Sequence, residues 1–85
     1  MKKDKIITTL SSIFQSVFKS QDIPLTIDSS PENTLGWDSL NHILFIIEIE
    51  KEYSIKFTAG EVVSNKTINQ ICNSIISKLN KKQNL

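Results

Sequence analysis

The sequence predicts a small all-α fold: a four-helix bundle with a long loop between its first two helices and a short third helix. Apolar residues recur at three- and four-residue steps in three stretches of the chain, which is the spacing of one face of an α-helix. A capping-box pattern that begins at Thr58 predicts the short helix. No stretch longer than a few residues alternates apolar and polar side chains, so a sheet is not expected.

The first helix is predicted from Asp4 to about Lys19, with its end at Ser20 or Gln21. Asp4 is placed to accept hydrogen bonds from the free amides of the first turn and suits the positive end of the helix dipole. The apolar residues of this stretch form one wide stripe for the core: Ile6, Ile7, Leu10, Ile13, Phe14, Val17 and Phe18.

Residues 22–37 are predicted to form a long surface loop. This segment holds Pro24 and Pro31 together with several Asp, Ser, Asn and Gly residues, which interrupt helices and strands. A loop of this length in a compact domain needs anchoring. We expect at least two of its four apolar side chains to be buried, namely those of Leu25, Ile27, Leu35 and Trp37.

The remaining helices have recognisable starts. The second is predicted from Ser39 to about Tyr53, with Asp38 as its N-cap. Capping boxes at residues 58–61 and 67–70 predict the starts of the third and fourth helices. The apolar residues of the fourth helix follow helical spacing: Ile68, Ile71, Cys72, Ile75 and Leu79. Its lysines suit the negative C-terminal end of the helix dipole: Lys78, Lys81 and Lys82.

The second helix carries two apolar faces. At about 100° per residue, one face holds Phe45, Ile46, Ile49 and Tyr53, which we assign to the core. The opposite face is either covered by the loop or left exposed for a partner. We favour the second interpretation and assign these residues to a docking face near Ser39: Leu40, Ile43, Leu44 and Ile47.

Composition excludes several classes of protein. The 85 residues predict a single domain, 1–85, with its core at about 4–80, and the net charge of +1 without a basic stripe argues against a nucleic-acid partner. The longest apolar run is residues 43–47 and no signal-peptide core follows the N-terminal lysines, so we expect a cytoplasmic protein without membrane insertion. One cysteine and one histidine predict neither an internal disulfide nor a metal site. The absence of arginine beside many Lys, Asn and Ile residues suggests a bacterial, AT-rich genome.

Ser39 is the candidate site residue. It opens a helix directly after the long loop, where unpaired amides and the dipole favour a phosphate group. By itself, however, a serine at a helix start is more often a cap than a modified residue.

The segment Leu35-Gly36-Trp37-Asp38-Ser39-Leu40 resembles the attachment motif of acyl carrier proteins, and the order of helices and loops resembles that fold over about residues 4 to 80. The resemblance implies a 4′-phosphopantetheine arm on Ser39. It also implies that Asp38 is recognised by a phosphopantetheinyl transferase that uses magnesium and coenzyme A, and that Leu40 contacts partner enzymes. Trp37 is included in the expected docking surface, although it is also a candidate to anchor the loop.

The implied function is that of a monomeric carrier without catalytic residues, which presents thioester-bound acyl groups to acyl-activating, acyltransferase or synthase enzymes of fatty-acid, polyketide or related biosynthesis. Housekeeping fatty-acid carriers are acidic along the second helix, whereas this chain has Asn41, His42 and Leu44 there. The sequence therefore looks more like a discrete carrier of a specialised pathway, with docking that depends on apolar contact more than on charge.

Three alternatives remain at this point. The chain could carry aminoacyl or peptidyl groups in a nonribosomal peptide pathway, or it could be an unmodified helical interaction module. A hydrolase that uses Ser39 with His42 as its base is disfavoured, because no orienting acid or oxyanion donors are evident. For His42 we expect a partly buried or solvated helix residue instead.

Overall fold

The computed structural model describes residues 3–18, 25–34 and 36–83, and within them the chain forms four α-helices and no strand. The helices are α1 (Lys3–Phe18), α2 (Ser39–Tyr53), α3 (Ala59–Ser64) and α4 (Ile68–Gln83). This confirms the predicted all-α fold with a short third helix. In the described part of the chain, no helix combines the length and the hydropathy needed to cross a bilayer.

The core lies where the apolar stripes of α1, α2 and α4 meet. From α1 it takes Ile6, Leu10 and Phe14, and from α2 it takes Phe45, Ile46 and Ile49, as the helical spacing predicts. Tyr53 is half-buried against them. Leu79 of α4, also assigned to the core, is only partly buried there. The fully buried residues of α4 are Ile68, Ile71, Cys72 and Ile75.

The helix ends that the structure describes follow the predicted caps with one difference, at the start of α1. The Thr58–Glu61 capping box is complete, and Thr67 and Gln70 exchange the equivalent hydrogen bonds at the start of α4. Helix α1 begins at Lys3, so Asp4 lies in its first turn and is not its N-cap. The predicted end of α1 at Ser20 or Gln21 lies outside the described residues.

The described part of the loop is anchored to the core and to α4. Leu25 and Trp37 are buried, which confirms the expectation that at least two apolar loop residues would be, while Ile27 is exposed and Leu35 lies outside the described residues. The carbonyls of Ser29 and Ile27 accept hydrogen bonds from the amides of Ile68 and Asn69, both at 3.0 Å. The loop thereby supplies partners for first-turn amides of α4.

Lys78 has a role that the sequence did not predict. We assigned it to the negative end of the α4 dipole, but its ammonium lies 2.8 Å from the carboxylate of Glu61 on α3 and 5.2 Å from the ring centre of Phe57. The long lysine side chain reaches across to a neighbouring element because its apolar stem can lie along the protein surface.

Candidate functional site

Ser39 is exposed and is the first residue of α2. Asp38 before it has extended backbone angles, and its Oδ1 accepts a hydrogen bond from the amide of Asn41 at 2.9 Å. The Asp38 carbonyl accepts from the amide of His42 at 2.8 Å, which starts the helical ladder. The serine hydroxyl is therefore held at the positive end of a capped helix, a favourable place for a phosphate.

A tight turn delivers the chain to this position. Gly36 has a φ of +87°, a left-handed conformation that glycine adopts without the steric cost of a Cβ. Its carbonyl accepts a hydrogen bond from the Asn41 side chain at 2.9 Å, and the amide of Trp37 donates to Thr34 at 3.2 Å. These contacts fix the end of the loop relative to the first turn of α2.

Trp37 lies in the core, and its assignment to the docking surface was wrong. Its side chain is only 3% exposed. Its ring makes edge contacts with Phe14, Phe18 and Phe45, with ring centres 5.6, 6.1 and 5.7 Å apart. Burial of so large an aromatic surface is strongly favourable, and Trp37 is thus the anchor that ties the end of the loop to the core.

His42 joins the loop to α3. The indole Nε1 of Trp37 donates to its Nδ1 at 3.0 Å, and its Nε2 lies 2.8 Å from the carbonyl oxygen of Val62. An indole N–H can only donate and a carbonyl can only accept, so the ring is the neutral tautomer with its proton on Nε2. Both ring nitrogens are occupied, which leaves His42 without a free lone pair to act as a base for Ser39.

The second apolar face of α2 is exposed. Its members Leu40, Ile43, Leu44 and Ile47 are between 40% and 66% accessible, whereas the opposite face is buried. On α3, Val63 is 69% accessible and extends this apolar surface. Val63 was not among the residues predicted for this surface. The available signal was a pair of valines in a helix of only six residues, which is too short to bury both.

A cleft of about 490 Å³ lies beside Ser39, between the start of α2, the loop and α3. Its walls include Pro31, Trp37, His42, Ile43, Val62 and Val63. An exposed hydroxyl at a helix start with an adjoining groove of mostly apolar walls suits a phosphodiester followed by a long flexible chain. The residues present thus fit a phosphopantetheine arm on Ser39.

Metal ligands and reactive thiols do not add to this site. Among the described residues, no group of three His, Cys, Asp or Glu side chains is placed to hold a metal ion. Cys72 is buried in the core, and burial raises the pKa of its thiol to about 11. Cys72 therefore packs as a small apolar residue.

Comparisons with known proteins agree with this geometry. Residues 8–75 match the family model described as "Phosphopantetheine attachment site". The chain is 27% identical over 82 residues to an acyl carrier protein of Cyanidium caldarium, which covers 96% of this chain and 95% of that protein. It is 24% identical over 79 residues to an acyl carrier protein of Coprothermobacter proteolyticus, covering 93% and 96% of the two chains.

Two solved structures share the fold of this chain. The solution structure of a holo acyl carrier protein from Geobacter metallireducens superposes with a TM-score of 0.82 at 33% identity, covering 92% of this chain and 90% of that one. A putative acyl carrier protein from Mycobacterium tuberculosis shares the fold with a TM-score of 0.76 at 22% identity, covering 85% and 96% of the two chains.

The match to the attachment-site model covers most of the chain, and both curated relatives align along nearly their whole length. The protein is therefore a member of the acyl carrier protein family, a carrier and not an enzyme, whose prosthetic group is covalently attached 4′-phosphopantetheine.

Proposed function

We propose that Ser39 bears the 4′-phosphopantetheine arm and that the chain presents acyl groups from it to partner enzymes. The observation that carries this proposal is the exposure of Ser39 at the capped start of α2. The helix end there favours the negative phosphodiester, and the cleft of about 490 Å³ beside Ser39 offers space for the first part of the arm.

The attachment step breaks a phosphoanhydride bond of coenzyme A and forms a phosphodiester on Ser39. The Oγ of Ser39 bonds to the phosphorus that carries pantetheine, the diphosphate bond breaks, and adenosine 3′,5′-bisphosphate leaves. The hydroxyl proton passes to the transferase or to water. The chain itself orients the hydroxyl, because Asp38 and the Gly36 turn fix the first turn of α2. The bound arm supplies a terminal thiol that holds the acyl group as a thioester.

Asp38 is proposed to meet the transferase as well as to cap the helix. One carboxylate oxygen accepts from the amide of Asn41, and the side chain is exposed to solvent. A carboxylate is a suitable ligand for the magnesium ion that such a transferase uses. The capping role needs one oxygen, so the second is available for that contact.

The docking surface is proposed to be the exposed apolar face of α2, and the pathway a specialised one. Over residues 39–47 this helix carries no charged side chain, while Leu40 and Ile43 are exposed next to Ser39. Partners would therefore be bound chiefly by apolar burial, with charge playing the smaller part. We further propose a monomeric, cytoplasmic, bacterial carrier of fatty-acid, polyketide or related acyl groups.

Transfer of the arm in vitro tests the attachment site. Apo-protein is incubated with coenzyme A, magnesium and a broad-specificity phosphopantetheinyl transferase, and intact mass is measured. We expect one phosphopantetheine on the wild type and on Ser16→Ala, a control that removes an exposed serine from α1, and none on Ser39→Ala. Modification of Ser39→Ala would refute the assignment of the site.

The same experiment separates the alternatives. An unmodified interaction module would stay at the apo mass with every transferase. If the arm is accepted, loading of the holo-protein by aminoacyl-activating enzymes but not by acyl-activating enzymes would favour a carrier of nonribosomal peptide type. Ester hydrolysis without transferase would support the hydrolase, which the occupied ring nitrogens of His42 disfavour.

A further inference from the structure

Helix α3 is held in place by directional polar contacts as well as by apolar packing. None of its six residues is fully buried, and Val62 is partly buried against the core, so apolar burial alone fixes its position only weakly. Towards α4 it is tied by the ion pair between Glu61 and Lys78 and by the bond from Asn65 to Ser74 at 3.0 Å. Towards α2 it is tied by His42, whose Nε2 lies 2.8 Å from the Val62 carbonyl oxygen.

The contact through His42 is directional and rigid. Its Nδ1 accepts from the indole of Trp37, which is itself fixed in the core by three phenylalanine rings. The imidazole therefore cannot rotate without breaking both bonds. Two hydrogen bonds thus connect Val62 to His42 and His42 to Trp37, whose ring lies in the core two residues before Ser39.

The position of α3 decides the shape of the cleft beside Ser39. Val62 and Val63 line it from α3, and Ile43 lines it from α2. If α3 moved away, the exposed side chain of Val63 would no longer be continuous with the apolar face of α2, and the groove along the proposed exit of the arm would widen.

We infer that His42 is a positioning residue of the attachment site: as the neutral Nε2–H tautomer it clamps α3 onto α2, and so holds Val62 and Val63 in register with Ser39 and Ile43. This inference rests on the proposed function at Ser39. The clamp acts through the Val62 carbonyl, and its effect on α3 is separate from the place of His42 in the wall of the cleft.

The tautomer provides a test that needs no variant and no arm. The chain contains one histidine and one tryptophan, so each gives a single side-chain signal in the nitrogen-edited NMR spectrum of labelled apo-protein. At neutral pH we expect the proton on Nε2, an unprotonated Nδ1, and a Trp37 indole proton shielded from exchange with water. A proton on Nδ1, or an indole proton in fast exchange, would overturn the inference.

Two variants at one position test the consequence. His42→Leu removes both bonds, whereas His42→Gln keeps an N–H group that can reach the Val62 carbonyl. We expect His42→Leu to lower kcat/KM for arm transfer about tenfold, the equivalent of about 1.4 kcal/mol, through KM and not kcat. His42→Gln should stay within about twofold of wild type. Equal losses in both variants would overturn the clamp.

Amide hydrogen exchange tests the clamp without the arm, so its result does not depend on the proposal that Ser39 is modified. In apo-protein, amides of α3 should exchange faster in His42→Leu than in wild type or His42→Gln, while those of α4 stay protected. If wild type accepts no arm, the proposed function fails but the exchange pattern still decides the clamp. If His42→Leu does not fold, the clamp is judged from the tautomer of His42 in the wild type and from the exchange pattern of His42→Gln.

Discussion

The indole N–H of Trp37 donates to Nδ1 of His42 across 3.0 Å, from the last turn of the loop to the second turn of α2. The two rings are nearly parallel, at 28°, with their centres 5.9 Å apart. Because Trp37 is buried, its N–H would otherwise have no water partner. The hydrogen bond thus gives the polar N–H of Trp37 a partner, so that this large aromatic side chain can be buried in the core two residues before Ser39.

Replacement of Trp37 by phenylalanine should destabilise the protein by about 1–3 kcal/mol. The smaller ring leaves part of the site unfilled, and Nδ1 of His42 loses its donor. The loss is measured by urea unfolding followed by circular dichroism. Leu40→Ala on the exposed face is the control and should change stability by less than about 0.5 kcal/mol. A Trp37→Phe protein as stable as wild type would contradict the anchoring role.

Polar substitution on the exposed face of α2 should impair partner docking without loss of stability. Ile43→Ser removes apolar surface next to Ser39, so we expect a rise in KM for the transferase of about three- to tenfold with little change in unfolding free energy. Ile27→Ser is the matched control, since Ile27 is 44% exposed, close to the 49% of Ile43, but lies in the loop. An equal rise in KM for both variants would show that the α2 face does not bind the transferase.

Salt dependence distinguishes apolar docking from charge steering. Charge-steered association slows markedly as ionic strength rises, whereas apolar contacts do not weaken. Since residues 39–47 carry no charge, the rate constant for association with a partner should change by less than about threefold between 50 and 500 mM salt. A steep fall measured by stopped-flow mixing would indicate that charged side chains outside this stretch control docking.

Local signals in the sequence were sufficient for the helices. The start of α2 follows from Asp38, because a capping side chain and the apolar periodicity after it both act within a few residues. The same holds for Thr58, whose capping box forms as predicted. The exposure of Ile43 also agrees with the two-faced pattern of α2. Each of these features depends on neighbours along one helix.

Contacts between distant segments could not be predicted in this way. The burial of Trp37 depends on a pocket formed by α1 and α2, and the sequence alone left it between the core and the docking face. The bond of His42 to Val62 spans 20 residues, and that of Lys78 to Glu61 spans 17. Such pairs are specified by how helices pack, which helical periodicity does not determine.

The ion pair between Glu61 and Lys78 should make a small, pH-dependent contribution to stability. The hydrogen bond from Lys78, followed by that from the Thr58 amide, lowers the pKa of the Glu61 carboxyl below its ordinary value of 4.5. The contribution is therefore complete above that value and is lost as pH falls through the lowered pKa of the folded protein.

Glu61→Gln tests this contribution because glutamine can still complete the capping box. We expect a loss of about 0.2–1 kcal/mol at pH 7, the range for partly exposed pairs. The difference from wild type in urea unfolding should shrink towards zero as the pH is lowered below 4.5 and through the lowered pKa of Glu61, where the carboxyl of the folded wild type loses its charge. A difference that persists unchanged in acid would assign the effect to the cap and not to the ion pair.

Thiol labelling should distinguish the buried Cys72 from the arm. Burial raises the pKa of the Cys72 thiol to about 11, against about 8.5 for a free cysteine, so at pH 8 its thiolate fraction is about two-hundredfold lower. Folded apo-protein should thus react with a disulfide reagent at least about a hundredfold more slowly than free cysteine, and urea should remove the protection.

After transfer of the arm, one fast-reacting thiol should appear per chain, because the terminal thiol of phosphopantetheine is not enclosed by the core. Cys72→Ala is the control: it should show no labelling as apo-protein and the same fast phase as holo-protein. Rapid labelling of folded wild-type apo-protein would contradict the burial of Cys72. A fast phase that is absent after mass-verified loading would mean that the protein encloses the arm.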